Sequence, residues 1–348
     1  MANHSIILGG VEIPAGARAT VSIPVTTGLN GVPLKLNAIA AVGSQPGEVL
    51  TLLSTLHGGE WFSINSLRKL LDTLDLSTLR GTVIVVPVAN PPALARQKRD
   101  IPEETDSPDL NRIFPGPLTW TSDLLVSALS REILSKASCM VDFHMGPWGS
   151  TFRDILVGSD FAPEVTARTK ELAIALGVPS IRVAKIVGGF PGPRSSVGYA
   201  GGVLGIPALA VEIGGAGFGP ELEGAWEQET VDAIRRLMAA LGMIDGVEPY
   251  RGRRLVYQVA HRVNPGVGGL LRSRFGGDKL SVEVPAGTLL GEVISPYTGE
   301  VLEQLKAPVD GVLLYAARNY PIGPGGWAFG VASTDPATSE WIEGSLNV

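Results

Sequence analysis

Residues 49–60, VLTLLSTLHGGE, join a mostly apolar run to two candidate metal ligands, His57 and Glu60. The apolar run predicts a buried strand that ends just before His57, and open α/β sheets place their sites at such carboxyl ends. His57 and Glu60 are three residues apart, so on the first turn of a helix they would point the same way. Taken alone, the pair is better explained by an ordinary histidine in a glycine-rich loop.

A third candidate ligand, His144, follows a second apolar run at residues 139–143. That run also predicts a strand, so both ligand groups would lie at matching strand ends. Two histidines and one carboxylate suit a catalytic zinc ion, because the set leaves one coordination position open for water. Only four histidines occur in the chain, and two of them fall at these strand ends, which favours a metal site over an ordinary histidine.

The composition predicts a globular protein of two domains. The chain has 348 residues and 45% hydrophobic residues, which is ample material for a core. Its net charge of -6 argues against general nucleic-acid binding, which needs a basic face. A single cysteine, Cys139, excludes an internal disulfide and fits a reducing compartment, and its apolar surroundings predict a buried, inert thiol. Neither a signal peptide nor a membrane-spanning run is visible, so we expect a cytoplasmic protein with no membrane partner.

The order of the predicted elements indicates the fold class. Strands alternate with helices up to about residue 241, which is typical of an α/β domain with a mainly parallel sheet flanked by helices. The predicted strands include residues 33–42, 49–56, 81–88, 139–144, 154–158 and 206–213, and the predicted helices are 61–74, 118–136, 162–176 and 226–241. Residues 90–116 contain five prolines and predict a long polar loop. We place this α/β domain at residues 1–246 and a small all-β domain at residues 247–348.

The all-β region contains a weak internal repeat, in which residues 284–293 are echoed by residues 320–330. The pattern resembles the flattened barrel of biotinyl and lipoyl carrier domains. A carrier would present a lysine at an exposed hairpin, but residues 295–300 contain none. We therefore interpret the barrel as structural, shielding or shaping the site.

The long loop carries a candidate anchor for a carboxylate, Asn111 and Arg112. A guanidinium group binds a carboxylate through two parallel hydrogen bonds, and the asparagine adds a neutral donor. A solvated loop with ordinary surface arginines is the alternative. Arg96 and Arg99 lie in the same loop, and either could stabilise an oxyanion as it forms.

Glu212 closes another apolar run and precedes two glycines. A buried carboxylate without a partner is costly, so a structural role would require an ion pair. A role as general base and acid beside the metal is favoured, because burial can raise its pKa toward the working pH.

These motifs together resemble the succinylglutamate desuccinylase/aspartoacylase family, which is related to the zinc carboxypeptidases. The resemblance covers nearly the whole chain, and the motifs occur in order at residues 57–60, 90–91, 109–112, 142–144 and 212–214. It implies a zinc carboxypeptidase-like sheet followed by a barrel-sandwich-like β domain. It also implies that His57, Glu60 and His144 bind one zinc ion per chain, and that Glu212 activates water and then protonates the departing amine.

The resemblance also implies roles for the loop residues. Asn111 and Arg112 would hold the substrate carboxylate, and Arg99 would polarise the scissile carbonyl, with Arg96 as the alternative. Residues 113–116 are closer to the bacterial N-acyl-diaminobutyrate deacetylase branch than to aspartoacylase itself. Arg194, in a Gly/Pro loop before the Glu212 strand, is a candidate specificity residue, although a plain connector is the better explanation of that loop.

Asp142 lies two residues before His144, so both side chains point to the same face of a strand. It could orient a metal ligand, and a packing or surface carboxylate is an equally good explanation.

The function implied is a zinc-dependent amide hydrolase that removes an N-acyl group from a small amino acid or related carboxylate. The partner is then a small N-acyl amino acid, and a homo-oligomer is left open. Two alternatives remain at this point. One is a zinc carboxypeptidase acting on short peptides, and the other is a non-catalytic homologue that binds a carboxylate.

Overall fold

The computed structural model describes residues 4–28, 30–102, 106, 108–146 and 150–344. Up to residue 246 the elements, in chain order, are β1 (Ser5–Leu8), β2 (Val11–Pro14), β3 (Arg18–Thr27), β4 (Pro33–Val42), β5 (Gln45–Ser54), α1 (Ser63–Thr73), β6 (Arg80–Val86), α2 (Pro91–Arg96), α3 (Thr121–Ala128), β7 (Cys139–His144), β8 (Ser150–Gly158), α4 (Pro163–Leu176), β9 (Ser180–Ala184), α5 (Ser196–Tyr199), β10 (Ala208–Gly214) and α6 (Pro220–Ala240).

Four parallel strands form the middle of the large sheet, in the order β6-β5-β7-β10. All six residues of β7 are buried, as expected for a strand that is covered on both faces. On one side β4 and then β3 continue the sheet antiparallel, and on the other side β8 pairs antiparallel with β10. Short apolar strands joined by helices on both faces therefore produce the predicted α/β sheet.

The helices bury both faces of the sheet in two separate clusters. On one face Leu52 and Val141 pack with apolar residues of α1, α4 and α6. Leu53 follows Leu52 in β5, and Met140 precedes Val141 in β7. On the other face these two residues pack with residues of α3 and α5. This alternation follows from the two-residue period of a strand.

The C-terminal region adds strands β11 (Arg254–Tyr257), β12 (Ala260–Val263), β13 (Gly269–Ser273), β14 (Glu283–Val284), β15 (Leu289–Ile294), β16 (Val301–Lys306), β17 (Gly311–Ala317), β18 (Pro321–Ile322), β19 (Phe329–Ser333) and β20 (Ser339–Ile342). Strands β16, β15, β13 and β18 form a separate four-stranded sheet. Strands β17 and β11 instead pair with β8 and β9, so the large sheet runs on from the α/β region into the β region.

Several sequence predictions differ from the structure in detail. His57 and Glu60 lie in a turn closed by a 3.0 Å bond from the Glu60 N–H to the His57 carbonyl, because α1 begins only at Ser63. The predicted loop at residues 90–116 contains α2, which was not predicted because prolines begin it. The short elements β9 and α5 were also missed. Residues 103–105 and 107 of that loop, and residues 1–3, 29, 147–149 and 345–348 of the two predicted domains, lie outside the described residues.

Two further observations bear on the sequence predictions. Cys139 begins β7 and is buried, as its apolar surroundings predict. None of the helices in the described part of the chain is long and apolar enough to cross a membrane.

Candidate metal centre and active site

Adjacent parallel strands bring the predicted ligands together at one edge of the sheet. Strand β5 runs beside β7, and the turn that holds His57 and Glu60 follows the carboxyl end of β5. His144 is the last residue of β7, and it pairs in register with Glu212 on β10. The strand ends therefore place all four side chains on a common edge, as expected for an open α/β sheet.

His57, Glu60 and His144 form a buried group that could hold a metal ion. One ligand atom from each residue lies within 4.8 Å of the others. The two oxygens of Glu60 lie 3.0 Å from His57 Nδ1 and 2.8 Å from His144 Nδ1. His57 Nδ1 is buried. Although Glu60 Oε1 lies 3.0 Å away, the geometry is not that of a hydrogen bond, so His57 Nδ1 has no hydrogen-bond partner. Buried nitrogens normally have partners, so this atom fits a metal ligand, and the two-nitrogen, one-carboxylate set suits zinc.

The second nitrogen of each histidine contacts a carboxylate. His57 Nε2 lies 3.0 Å from Asp109 Oδ1, and His144 Nε2 lies 3.1 Å from Asp142 Oδ2. An Nε2–H that donates to a carboxylate leaves Nδ1 free of a proton and fixes the ring orientation. Asp142 is itself held by the Ser196 hydroxyl. The structure therefore places Asp142 against a predicted ligand, and it gives Asp109 an equivalent contact that the sequence interpretation missed.

Burial and neighbouring charges separate the two glutamates of the site. Burial by itself would raise the pKa of Glu60, but His57 and His144 outweigh it and hold the pKa well below its usual range. Glu60 is therefore a carboxylate, the form that binds metals. Burial raises the pKa of Glu212 to about 7, although the adjacent histidines oppose the rise. Glu212 can therefore gain and lose a proton near neutral pH.

Asp154 is a buried acid beside Glu212, because the two residues pair across β8 and β10. The Tyr257 hydroxyl donates to Asp154 Oδ2 at 2.5 Å. Burial raises the pKa of Asp154 to about 8, although this hydrogen bond and the charge of Arg182 oppose the rise. Asp154 is therefore neutral at pH 7.

The long loop brings three of its predicted residues to the site. Arg99 lies 3.2 Å from Glu60 Oε1 and 3.1 Å from Asp109 Oδ2. Asn111 is buried, and its Oδ1 accepts a 2.8 Å bond from the Ser196 N–H. The Arg112 guanidinium stacks over the Phe190 ring at 4.7 Å. These contacts hold the three side chains beside the candidate metal-binding group.

A cavity of about 810 Å³ opens over the ligand group. Among the described residues, its lining includes all the predicted site residues except Arg194, namely His57, Glu60, Arg99, Asn111, Arg112, His144 and Glu212. Arg194 instead donates to the carbonyls of Ile113 and Phe114, at 2.8 and 3.2 Å, and so ties two loops together. Arg96 also does not line the cavity.

Several lining residues were not predicted, because they belong to distant strands. Phe152 comes from β8, and Arg262 and Tyr315 come from β12 and β17 of the C-terminal region. Two more aromatic side chains, Tyr320 and Trp327, follow β17. No local sequence motif marks these residues. The available signal in the sequence was the aromatic content of the C-terminal region, which was predicted to contain no helices.

The fold and the site define an α/β protein with a candidate metal centre at the carboxyl ends of its parallel strands. The model of the succinylglutamate desuccinylase/aspartoacylase catalytic domain matches residues 46–242, more than half of the chain, and the chain belongs to this family. The predicted family and fold class are thereby confirmed, and membership points to a deacylase type of amide hydrolase.

Individual relatives agree with this assignment. The N-alpha-acetyl-L-2,4-diaminobutyric acid deacetylase of Halomonas elongata is 30% identical over 109 residues, which is 31% of this chain and 31% of the relative. The match therefore spans about a third of the relative's length.

Solved structures show the same fold over most of the chain. A succinylglutamate desuccinylase/aspartoacylase from Rhodobacter sphaeroides has a TM-score of 0.76 at 22% identity, covering 91% of this chain and 95% of the other. The product-bound ectoine utilization protein EutE (DoeB) from Ruegeria pomeroyi has a TM-score of 0.76 at 20% identity, covering 92% and 98%.

Proposed function

We propose that this protein is a zinc-dependent deacylase that removes an N-acyl group from a small amino acid or related carboxylate. The observation that carries the proposal is the buried group of His57, Glu60 and His144, in which Asp109 and Asp142 orient the two histidine rings. Such paired carboxylates are typical of histidines that bind zinc.

These three residues would hold the ion, and zinc supplies a Lewis acid and lowers the pKa of a water molecule to about 7. Glu212 is placed to take a proton as water adds to the amide carbonyl carbon. When the C–N bond breaks, Glu212 returns the proton to the departing amine, giving a carboxylic acid and a free amine. Its pKa of about 7 suits both transfers.

The loop residues would orient the substrate. Arg112 and Asn111 line the cavity beside the ligand group and provide donors for a carboxylate. Arg99 is the better candidate than Arg96 for the carbonyl, because Arg99 lines the cavity and contacts Glu60. For Arg194, a role in fastening the loop is better supported than a contact with substrate.

We also propose that residues 1–246 carry the catalytic residues and that residues 247–348 form a β region that completes the cavity. The pairing of β17 with β8 supports this division of labour, because it joins the C-terminal aromatic residues to the catalytic sheet. We regard the β region as a wall of the site and not as a carrier.

The test is hydrolysis by protein stripped of metal with a chelator and then reloaded with zinc. The panel contains N-acetyl amino acids, including N-alpha-acetyl-L-2,4-diaminobutyric acid, and matched dipeptides. We expect the reloaded protein to hydrolyse N-acyl amino acids faster than dipeptides, and His144→Ala to lose both zinc and activity. Full activity in metal-free protein would overturn the proposal, faster dipeptide cleavage would indicate a carboxypeptidase, and binding without turnover would indicate a non-catalytic homologue.

A further inference from the structure

One wall of the cavity continues from the catalytic strands into the C-terminal region. Glu212 pairs with Asp154 on β8, and Phe152, two residues earlier on the same face of β8, pairs with Tyr315 on β17. Tyr315 pairs with Gly330 on β19, and Gly330 pairs with Arg262 on β12. The register therefore links the catalytic glutamate to Arg262 across adjacent strands of one sheet.

Aromatic rings cover this wall between the two ends. The Phe152 and Tyr315 rings are 4.6 Å apart between centroids, and the Tyr315 and Trp327 rings are 6.0 Å apart. The Arg262 guanidinium lies 4.0 Å from the Trp327 ring centroid. The wall is thus an apolar surface of three successive rings that ends in a cation, and both the rings and the cation line the cavity.

The charge of Arg262 is not balanced by an acidic side chain. Within the part of the chain that the structure describes, no ion pair or hydrogen bond joins Arg262 to an aspartate or glutamate. Arg262 is exposed to solvent, and its partial burial lowers its pKa, which the positive charge of Arg182 lowers further. Arg182 itself interacts with Asp154, which is neutral at pH 7. Two guanidinium groups therefore create a positive potential at this end of the cavity, and such a potential attracts an anion.

We propose that Arg262 binds a second anionic group of the substrate, and that the Phe152, Tyr315 and Trp327 rings contact an apolar, ring-sized body between that group and the scissile amide. The inference rests on the proposed function and deepens it by naming a substrate class. A cavity of about 810 Å³ is large for a short N-acetyl amino acid, because pockets of roughly 300–1,000 Å³ enclose drug-sized ligands. A free ammonium group in the same position would be repelled.

The anionic group could belong to the acyl side or to the amine side, and two pairs of probes separate these sources. The amine-side pair is N-acetyl-para-carboxyphenylalanine and its para-carbamoyl analogue. The acyl-side pair is N-(para-carboxybenzoyl)glycine and its para-carbamoyl analogue. Within each pair the shape is conserved and only the charge differs, so the acid-to-amide ratio of kcat/KM reports recognition of the distal charge.

We expect wild-type, zinc-loaded protein to prefer the acid in one pair by about tenfold, because only the acid offers Arg262 a charged hydrogen-bond acceptor. Arg262→Gln should abolish that preference, mainly by raising KM for the acid, with a much smaller effect on the amide. Arg272→Gln is the matched control, because it removes an exposed arginine of β13 that does not line the cavity.

Calorimetric titration of the same four compounds distinguishes failure of this inference from failure of the proposed function. If neither these probes nor the N-acetyl amino acids of the earlier panel are hydrolysed, the proposed function fails, and tighter binding of an acid that is lost only in Arg262→Gln still supports the anion site. Equal treatment of acid and amide by the wild type in both pairs would overturn the inference. Equal losses on acid and amide in Arg262→Gln would also overturn it.

Discussion

At the residue scale, Glu212 shows how position creates chemistry. It lies near the carboxyl end of β10, paired with His144, and burial brings its pKa to about 7, a pH at which an ordinary glutamate is ionised. Glu212→Gln keeps the shape of the side chain but cannot carry a proton. We expect the variant to bind zinc normally while kcat falls by roughly two to four orders of magnitude. Zinc content and turnover should be measured on the same preparation, and an unchanged kcat would remove Glu212 from the mechanism.

A substitution of Arg112 tests whether the cavity binds a carboxylate of the substrate. A lysine keeps the charge but cannot form two parallel hydrogen bonds, so Arg112→Lys should raise KM for a free-acid substrate by roughly tenfold. A substrate amidated at that carboxylate should be poor for the wild type and less affected by the mutation. Arg131→Lys, at an exposed position outside the cavity, is the control. Equal increases in KM for the acid and its amide would show that Arg112 does not bind the carboxylate.

Asp154 links stability to pH in a defined direction. Its pKa rises to about 8 in the folded protein, so between about pH 4 and pH 8 only the unfolded chain loses this proton. The free energy of unfolding should therefore fall as the pH rises through this window, by at most about 1.4 kcal/mol per pH unit from this group.

Asp154→Asn removes the titration and can still accept the Tyr257 hydrogen bond. Its Tm should fall less than the wild-type Tm between pH 5 and pH 8.5. Asp278→Asn, at an exposed aspartate, should follow the wild type. Parallel pH profiles for Asp154→Asn and the wild type would contradict the assignment.

The limits of sequence reasoning at this scale depend on distance along the chain. His57, Glu60 and His144 could be predicted because each lies beside an apolar strand that fixes its position. The contact of Asp109 with His57 joins residues that only the folded loop brings together. Arg262 reaches the cavity through the pairing of β12 with β19, and no local pattern encodes that pairing.

At the scale of elements, the turn at residues 57–60 is fixed by its contact with α2. Asn90 donates from Nδ2 to the Leu56 carbonyl and accepts the Ala93 N–H, so it joins the end of β5 to the start of α2. A Cβ on Gly58 would lie 2.0 Å from the Ala93 carbonyl carbon, whereas a Cβ on Gly59 would come no closer than 3.4 Å to its neighbours. Of these two glycines, therefore, only Gly58 is required for the close packing of the turn against α2.

Gly58→Ala should consequently displace the turn and the two ligands it carries. We expect less than one zinc per chain and a loss of stability of about 1–3 kcal/mol, as for other overpacked sites. Gly59→Ala is the matched control and should retain zinc and Tm. Metal analysis and thermal unfolding check both variants, and equal behaviour of the two would show that the contact with α2 does not position the ligands.

The strands with the clearest apolar patterns were predicted well, and the short elements were not. The predicted bounds of residues 33–42 and 139–144 coincide with β4 and β7. In each of these strands the buried positions follow directly from the order of apolar residues in the strand itself. Strand β9 has only five residues and contains Arg182, and α5 is a single turn in a glycine-rich segment. Both depend on partners elsewhere in the fold, which a local pattern does not show.

At the scale of the whole molecule, the sheet crosses the predicted boundary at residue 246. Pairing of β17 with β8 and of β11 with β9 gives the two regions shared backbone hydrogen bonds. We therefore expect the full chain to unfold in one cooperative transition by differential scanning calorimetry, with or without bound zinc. Two well-separated transitions would show that the regions fold independently.

The buried thiol of Cys139 has a practical consequence. Burial raises its pKa to about 12, so the thiol is protonated and unreactive at neutral pH. Because Cys139 is the one cysteine of the chain, cysteines introduced at surface positions would be the only thiols open to a maleimide or nitroxide reagent. Fluorescent or spin probes could therefore be attached near Phe190 and near Trp327 in the otherwise native sequence, and the distance between them would report how the mouth of the cavity responds to ligands.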